Sequence, residues 1–123
     1  MLRDNFYTIV DLESNTNAIH AIIELNEKHP IFKGHFPGQP VVPGVCQMQI
    51  VKEILSSVLQ KEIRLQKADD IKFLQMIDPA LNTTLNVEID YFINEEQNVD
   101  VRSVIYQDNE ICFKLNGVFV FNE

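Results

Sequence analysis

Apolar residues take every second position in Ile19-His20-Ala21-Ile22-Ile23-Glu24-Leu25, which places Ile19, Ala21, Ile23 and Leu25 on one face of a strand. The first 26 residues therefore read as one or two strands. The alternation breaks between Glu27 and Gly44, where four of the five prolines (Pro30, Pro37, Pro40, Pro43) and three of the four glycines (Gly34, Gly38, Gly44) lie. Proline removes backbone freedom, so this density predicts a tightly specified loop. From Gly44 to about Gln60 the period becomes helical. At about 100° per residue, Val45, Met48, Val51, Ile54, Leu55, Val58 and Leu59 fall on one side, and Gln49, Glu53, Ser56 and Gln60 on a narrow stripe of the other. Strand patterns then return. Ile71, Phe73 and Ile77 alternate, and Leu85, Val87, Ile89, Tyr91 and Ile93 alternate against Thr84, Asn86, Glu88 and Asp90. Val99, Val101 and Ile105 follow, then Ile111, Phe113, Leu115, Phe119 and Phe121. Turns fit at Asn94–Asn98 and at Asp108-Asn109, and Gly117 suggests a bulge. One long helix packed on one sheet of antiparallel strands is an α+β design.

Composition narrows the classes. A length of 123 residues predicts a single domain, and 46% apolar with 23% charged residues is an ordinary globular mixture. The net charge of −8 argues against nucleic acid and anionic membrane surfaces, which need a basic face. No apolar run approaches the length of a membrane span, and Met1–Phe6 lacks a signal-peptide core, so a cytoplasmic location is expected. Cys46 and Cys112 then read as reduced thiols, with Cys46 a small apolar filler near the helix start. His20 and His29 lack metal-ligand spacing with His35 and read as surface residues; no metal is expected. Met48 and Met76 read as core residues or as the lining of an acyl tunnel.

The stretch that carries chemistry is Gly34-His35-Phe36-Pro37-Gly38-Gln39-Pro40-Val41-Val42-Pro43-Gly44-Val45. His35 is held between a glycine and a Phe-Pro-Gly turn, and an imidazole titrates near neutral pH, which suits a general base. Gly44 stands at the helix N-terminus, where N–H groups lack partners and the helix dipole is positive. Without a Cβ, its N–H can be approached by a substrate carbonyl and act as an oxyanion-type donor. A base beside such a donor suits proton abstraction next to a thioester carbonyl.

This run of histidine, prolines and glycines leading into a helix resembles the active-site signature of the 3-hydroxyacyl-carrier-protein dehydratases. The order of elements is similar along nearly the whole chain. The resemblance implies a hot-dog fold, in which a curled antiparallel sheet wraps one long central helix. It implies a homodimer or higher even oligomer with the site at the subunit interface. The substrate it implies is an acyl chain on phosphopantetheine, carried by acyl carrier protein or coenzyme A, with no other cofactor. The reaction implied is loss of water from a (3R)-hydroxyacyl thioester. By the same resemblance His35 matches the catalytic histidine and Gly44 the carbonyl donor. Phe36, Pro37, Gly38, Val45 and Met48 match substrate-binding positions.

One position departs from the family. A Glu or Asp is expected fourteen residues after the histidine, donated from the other subunit, and this chain has Gln49 there. An amide holds hydrogen bonds but does not give or take a proton near neutral pH. Glu53 lies one helical turn on, so the pair looks exchanged, and Glu53 becomes either a substitute acid or a solvated helix charge. A hot-dog thioesterase and a non-catalytic carrier-protein-binding subunit stand as the alternatives to a dehydratase. For an acidic carrier protein, the basic candidates are Lys61, Arg64, Lys67 and Lys72, diluted by Glu62, Asp69 and Asp70.

Overall fold

A computed structural model describes residues 1–34 and 40–122. Two strands, β1 (Tyr7–Asn15) and β2 (Ala18–Leu25), form a hairpin whose turn uses the left-handed φ of Asn17 (72°). A one-turn helix, α1 (Ile31–Gly34), precedes the long helix α2 (Gly44–Leu59). Four strands follow: β3 (Ile63–Phe73), β4 (Thr84–Ile93), β5 (Asn98–Gln107) and β6 (Glu110–Phe121). The six strands join one sheet in the order β1-β2-β4-β5-β6-β3, with every neighbouring pair antiparallel. The sheet curls on α2, which is the hot-dog arrangement expected from the sequence.

The core follows the alternation. Ile19, Ala21, Ile23 and Leu25 of β2 are all buried, as are Leu85, Val87 and Ile89 of β4 and Phe113, Leu115 and Phe119 of β6. They pack in one cluster with Ile50, Val51, Ile54 and Leu55 of α2. Each fully buried side chain of this size contributes about 1.5–3 kcal/mol by leaving water. Asp108, with φ 56°, closes the β5–β6 hairpin between Gln107 and Glu110. Gln60, also left-handed at φ 55°, ends α2 and returns its N–H to the Ser56 carbonyl.

Four expectations change. The buried face of α2 is rotated by about 80° from the one read off the periodicity, at about 100° per residue. It runs along Cys46, Ile50, Glu53 and Ile54, while Val45 at the edge of the anticipated face is 74% exposed. The third strand begins at Ile63, well before the alternation at Ile71. Its polar run Arg64–Asp70 lies at the edge of the sheet, where one side of the strand meets solvent and no strict alternation is required. Gly117 itself pairs regularly; the bulges lie opposite, on β3, between Leu65 and Lys67 and between Ala68 and Asp70. A Cβ on Gly117 would stand 2.5 Å from the Lys67 carbonyl oxygen, so the glycine admits the close approach of β3. Met76 is a surface residue, not core.

Candidate active site at the start and outer flank of the long helix

Pro43, extended at φ −60° and ψ 148°, starts α2 and supplies no side-chain cap. The first N–H groups of a helix have no partner within it, and among the described residues none accepts from the Gly44 N–H at this positive end of the dipole. Val42 is pinned on both sides: its N–H donates to the Ile77 carbonyl at 2.9 Å, and its carbonyl accepts from Gln47 Nε2 at 3.1 Å. Gly44 is thereby set on a cavity of about 470 Å³ with Val42, Gln47, Phe73 and Met76. A Cβ on Gly44 would fall 2.7 Å from Phe73 Cζ, so the missing side chain makes room for this ring. His35, Phe36, Pro37 and Gly38 lie outside the described residues.

Val45, Met48 and Gln49 come together on a second cavity, of about 230 Å³, closed by Leu65 of β3 and by Leu115 and Phe119 of β6. Gln49 also borders a third hollow of about 300 Å³, which holds Met1, Arg3 and Glu53. A wider hollow, about 830 Å³ around Glu62, Arg64 and Asn98, holds the basic docking candidate Arg64 but none of the catalytic or substrate-binding candidates among the described residues. The smaller cavities suit an acyl chain better, because the wider hollow is lined mainly by polar groups.

Glu53 is not the solvated charge its helical position suggested. Its residue is 6% exposed, and its carboxylate accepts four hydrogen bonds. The Leu2 and Arg3 N–H groups donate at 2.8 Å each, Tyr7 Oη at 3.0 Å and Gln49 Nε2 at 2.7 Å. Burial pushes the Glu53 carboxyl up, but these donors outweigh burial and hold it below the usual value of 4.5. Glu53 is therefore ionised near neutral pH, with no proton to give. Burial and the neighbouring carboxylate together push the Tyr7 phenol well up, so it stays a donor. An ionised carboxylate accepts only, which fixes the Gln49 amide with Nε2 toward Glu53 and Oε1 away from it.

Among the described residues, Gly44 and Gln49 of one chain line different cavities. Five positions of helix turn the side-chain direction by about 140° and advance it by about 7.5 Å. Each of the two opens onto its own hollow.

The other candidates resolve simply. Cys46 is buried, and burial raises its thiol. His20 bonds Asn86 Oδ1 at 3.0 Å, and His29 Nδ1 accepts the Ile31 N–H at 3.1 Å. Lys67 and Lys72 pair with Asp69 (3.2 Å) and Asp70 (3.6 Å), while Lys61 lies 5.0 Å from the Phe121 ring centre. Phe73, Tyr7 and the N–H groups of Leu2 and Arg3 were missed in the sequence. Only for Glu53 was there a signal: at about 100° per residue it projects about 20° from Cys46 and about 40° from Gln49, on the border between the polar stripe and the buried arc.

Known proteins point the same way. The ApeI-like family model, described as ApeI dehydratase, matches residues 11–114. The chain is 29% identical over 90 residues to 3-hydroxyacyl-acyl-carrier-protein dehydratase FabZ of Rickettsia bellii strain OSU 85-389, covering 67% of this chain and 61% of that one. It is 31% identical over 93 residues to the bifunctional enzyme LpxC/FabZ of Bacteroides thetaiotaomicron, covering 68% of this chain and 20% of that one. The chain thus spans less than two-thirds of the length of either relative. Among solved structures, the dehydratase heterocomplex ApeI:P from Xenorhabdus doucetiae superposes with a TM-score of 0.71 at 20% identity, over 91% of this chain and 96% of that one. The chain is a member of the ApeI-like dehydratase family.

Proposed function

We propose that this protein removes water from (3R)-hydroxyacyl thioesters carried on phosphopantetheine, in fatty-acid or related acyl-chain synthesis, at a site shared between two copies of the chain. The observation that carries the shared site is that Gly44 and Gln49 of one chain open onto different cavities. A site with both needs Gln49 from a second copy. Val45, Phe73, Leu74 and Met76, all exposed around Gly44, are the apolar surface at hand for that contact.

In this reading His35 takes the C2 proton while the Gly44 N–H bonds the thioester carbonyl oxygen, where negative charge grows. The C2–H electron pair forms the C2=C3 bond as the C3–O bond breaks. Gln49 Oε1 holds the departing hydroxyl, and protonated His35 returns its proton to it, so that water leaves and His35 is neutral again. Glu53 is assigned no proton transfer, because its four donors keep it ionised. An acyl carrier protein is the proposed bearer of the substrate, with coenzyme A thioesters as minimal substitutes.

Incubation with short 3-hydroxyacyl and trans-2-enoyl thioesters, followed by mass analysis, tests the reaction. Loss or gain of water is expected. Hydrolysis instead would make the protein a thioesterase, and binding without turnover would make it a non-catalytic subunit. Gln49→Ala is expected to lower dehydration by about tenfold, the value of one lost hydrogen bond. Gln49→Glu places an ionisable group there and is expected to hold or raise the rate. If Gln49→Glu abolishes an activity that Gln49 supports, the amide is required and dehydration is the wrong reaction. Light scattering at micromolar concentration should show at least two chains; a monomer of 14.2 kDa would remove the shared site.

A further inference from the structure

We infer that Gln47 is a substrate-binding residue: its Oε1 accepts the amide N–H of the pantetheine arm while the Gly44 N–H holds the thioester carbonyl. The start of α2 thereby reads an N-acylcysteamine thioester at both groups. This rests on the reading above, since it takes the thioester carbonyl to Gly44. It adds a residue to which the resemblance gives no role, and it concerns a part of the substrate that takes no part in the loss of water.

The observation is a buried acceptor with nothing to accept. Gln47 is 3% exposed, and its Oε1 is the one buried side-chain atom without a hydrogen-bond partner among the described residues. Such atoms are rare in native proteins, because burial takes away their water and gives nothing in return. The amide cannot relieve this by turning over. Nε2 donates to the Val42 carbonyl at 3.1 Å, and a carbonyl only accepts, so the reversed amide would set oxygen against oxygen. That bond reaches back five positions, which draws the amide toward the first turn of α2, where Gly44 stands. Gly44 and Gln47 differ by about 60° in direction and about 4.5 Å along the axis, and both line the cavity of about 470 Å³. Among the described residues, then, one cavity has a donor without an acceptor, the Gly44 N–H, and an acceptor without a donor, Gln47 Oε1. Its other walls are Val41, Val42, Phe73, Leu74 and Met76, together with Gln75, which is exposed and gives its side-chain N–H to Glu110 Oε2 at 3.0 Å. Walls that are mostly apolar disfavour a cation, so the fitting donor is a neutral N–H or O–H. The pantetheine arm carries a neutral N–H, one ethylene link beyond the thioester sulfur. It is the donor nearest to the carbonyl on the part common to all such substrates, and it is the same on a carrier protein and on coenzyme A.

A pair of unreactive thioether ketones tests this: S-(2-oxobutyl)-N-acetylcysteamine, and its counterpart with an ester oxygen in place of the amide N–H. Both keep a carbonyl for Gly44, and only the first has the donor. Each is titrated into the whole protein, labelled with ¹³C in its glutamine side chains and followed by NMR. Wild type should bind the amide about tenfold more tightly than the ester. Gln47→Leu removes the acceptor, and the ratio should fall to about twofold or less. Gln75→Ala removes the other polar wall and should keep the ratio. If Gln47→Leu does not fold, wild type carries the same information: the Gln47 side-chain carbonyl resonance should move with the amide and stay in place with the ester. A wild-type ratio near one, no binding of either compound, a tenfold ratio kept in Gln47→Leu or lost in Gln75→Ala, or equal movement of the Gln47 resonance with both compounds overturns the inference. Binding is read without turnover. A protein that shows the ratio but does not dehydrate would lose the reaction and keep this role of Gln47. One that dehydrates with a ratio near one would lose the role alone.

Discussion

Alanine at His35 is expected to lower turnover of a 3-hydroxyacyl thioester by about 10³-fold, within the range that general acid–base help supplies. The effect should be this large because the proposed reaction has one proton carrier. Gln49 cannot give or take a proton, and Glu53 is held ionised by four donors. With no second group to take over, the loss falls on kcat rather than on KM. The fold should be unaffected, within about 0.5 kcal/mol. Where the segment re-enters the described residues, Val42 bonds to Ile77 and Gln47, and Pro43 starts the helix; none of these contacts uses the imidazole. Steady-state kinetics beside a denaturation curve checks both halves. The general-base role is falsified if His35→Ala keeps more than a tenth of wild-type turnover with an unchanged denaturation midpoint.

What the sequence shows of this molecule tracks the distance over which its causes act. The β2 and β4 faces were legible because alternation is a two-residue property: Ile19 to Leu25 and Leu85 to Ile89 are buried as their spacing requires. The extent of α2 was legible from its helical period, and the hairpin at Asp108-Asn109 from residues that tolerate positive φ. The direction in which α2 faces was not. Val45, Met48 and Leu59 are as apolar as Cys46 and Ile50, and only the sheet decides which arc is covered. The start of β3 was hidden because an edge strand with two bulges has no strict face to display. Glu53 was the hardest residue to read. Its donors at Leu2, Arg3 and Tyr7 are 51, 50 and 46 positions away, and two of them are backbone N–H groups that no side-chain pattern reveals. The resemblance pointed to this part of the helix, and the fold shows the four donors that Glu53 holds there.

Glu53→Ala should cost about 3 kcal/mol of folding stability at pH 7, the low end of the range for removing one partner from a buried charged cluster. The mutation leaves the Tyr7 hydroxyl, 1% exposed as a residue, facing a void, and it releases the Leu2 and Arg3 N–H groups that tie the N-terminal segment to α2. Tyr7→Phe, which removes one donor and leaves three on the carboxylate, should cost only about 1 kcal/mol. The dependence on pH separates charge from packing. In the folded chain the Glu53 carboxyl lies below its ordinary value of 4.5: burial opposes the charged form, and the four donors overcome it. A depressed folded value means that the unfolded chain binds the proton first as pH falls. The electrostatic part of the stability is therefore complete above the ordinary glutamate range and is lost as pH drops through the folded value. Denaturant curves of wild type and Glu53→Ala should differ most at neutral pH and draw together below about pH 4. The part of the gap that survives in acid is the void left by the shortened side chain. A gap that stays constant from neutral to acid pH would mean that Glu53 only fills space, and its grip on the N-terminal segment and on Gln49 would not be electrostatic.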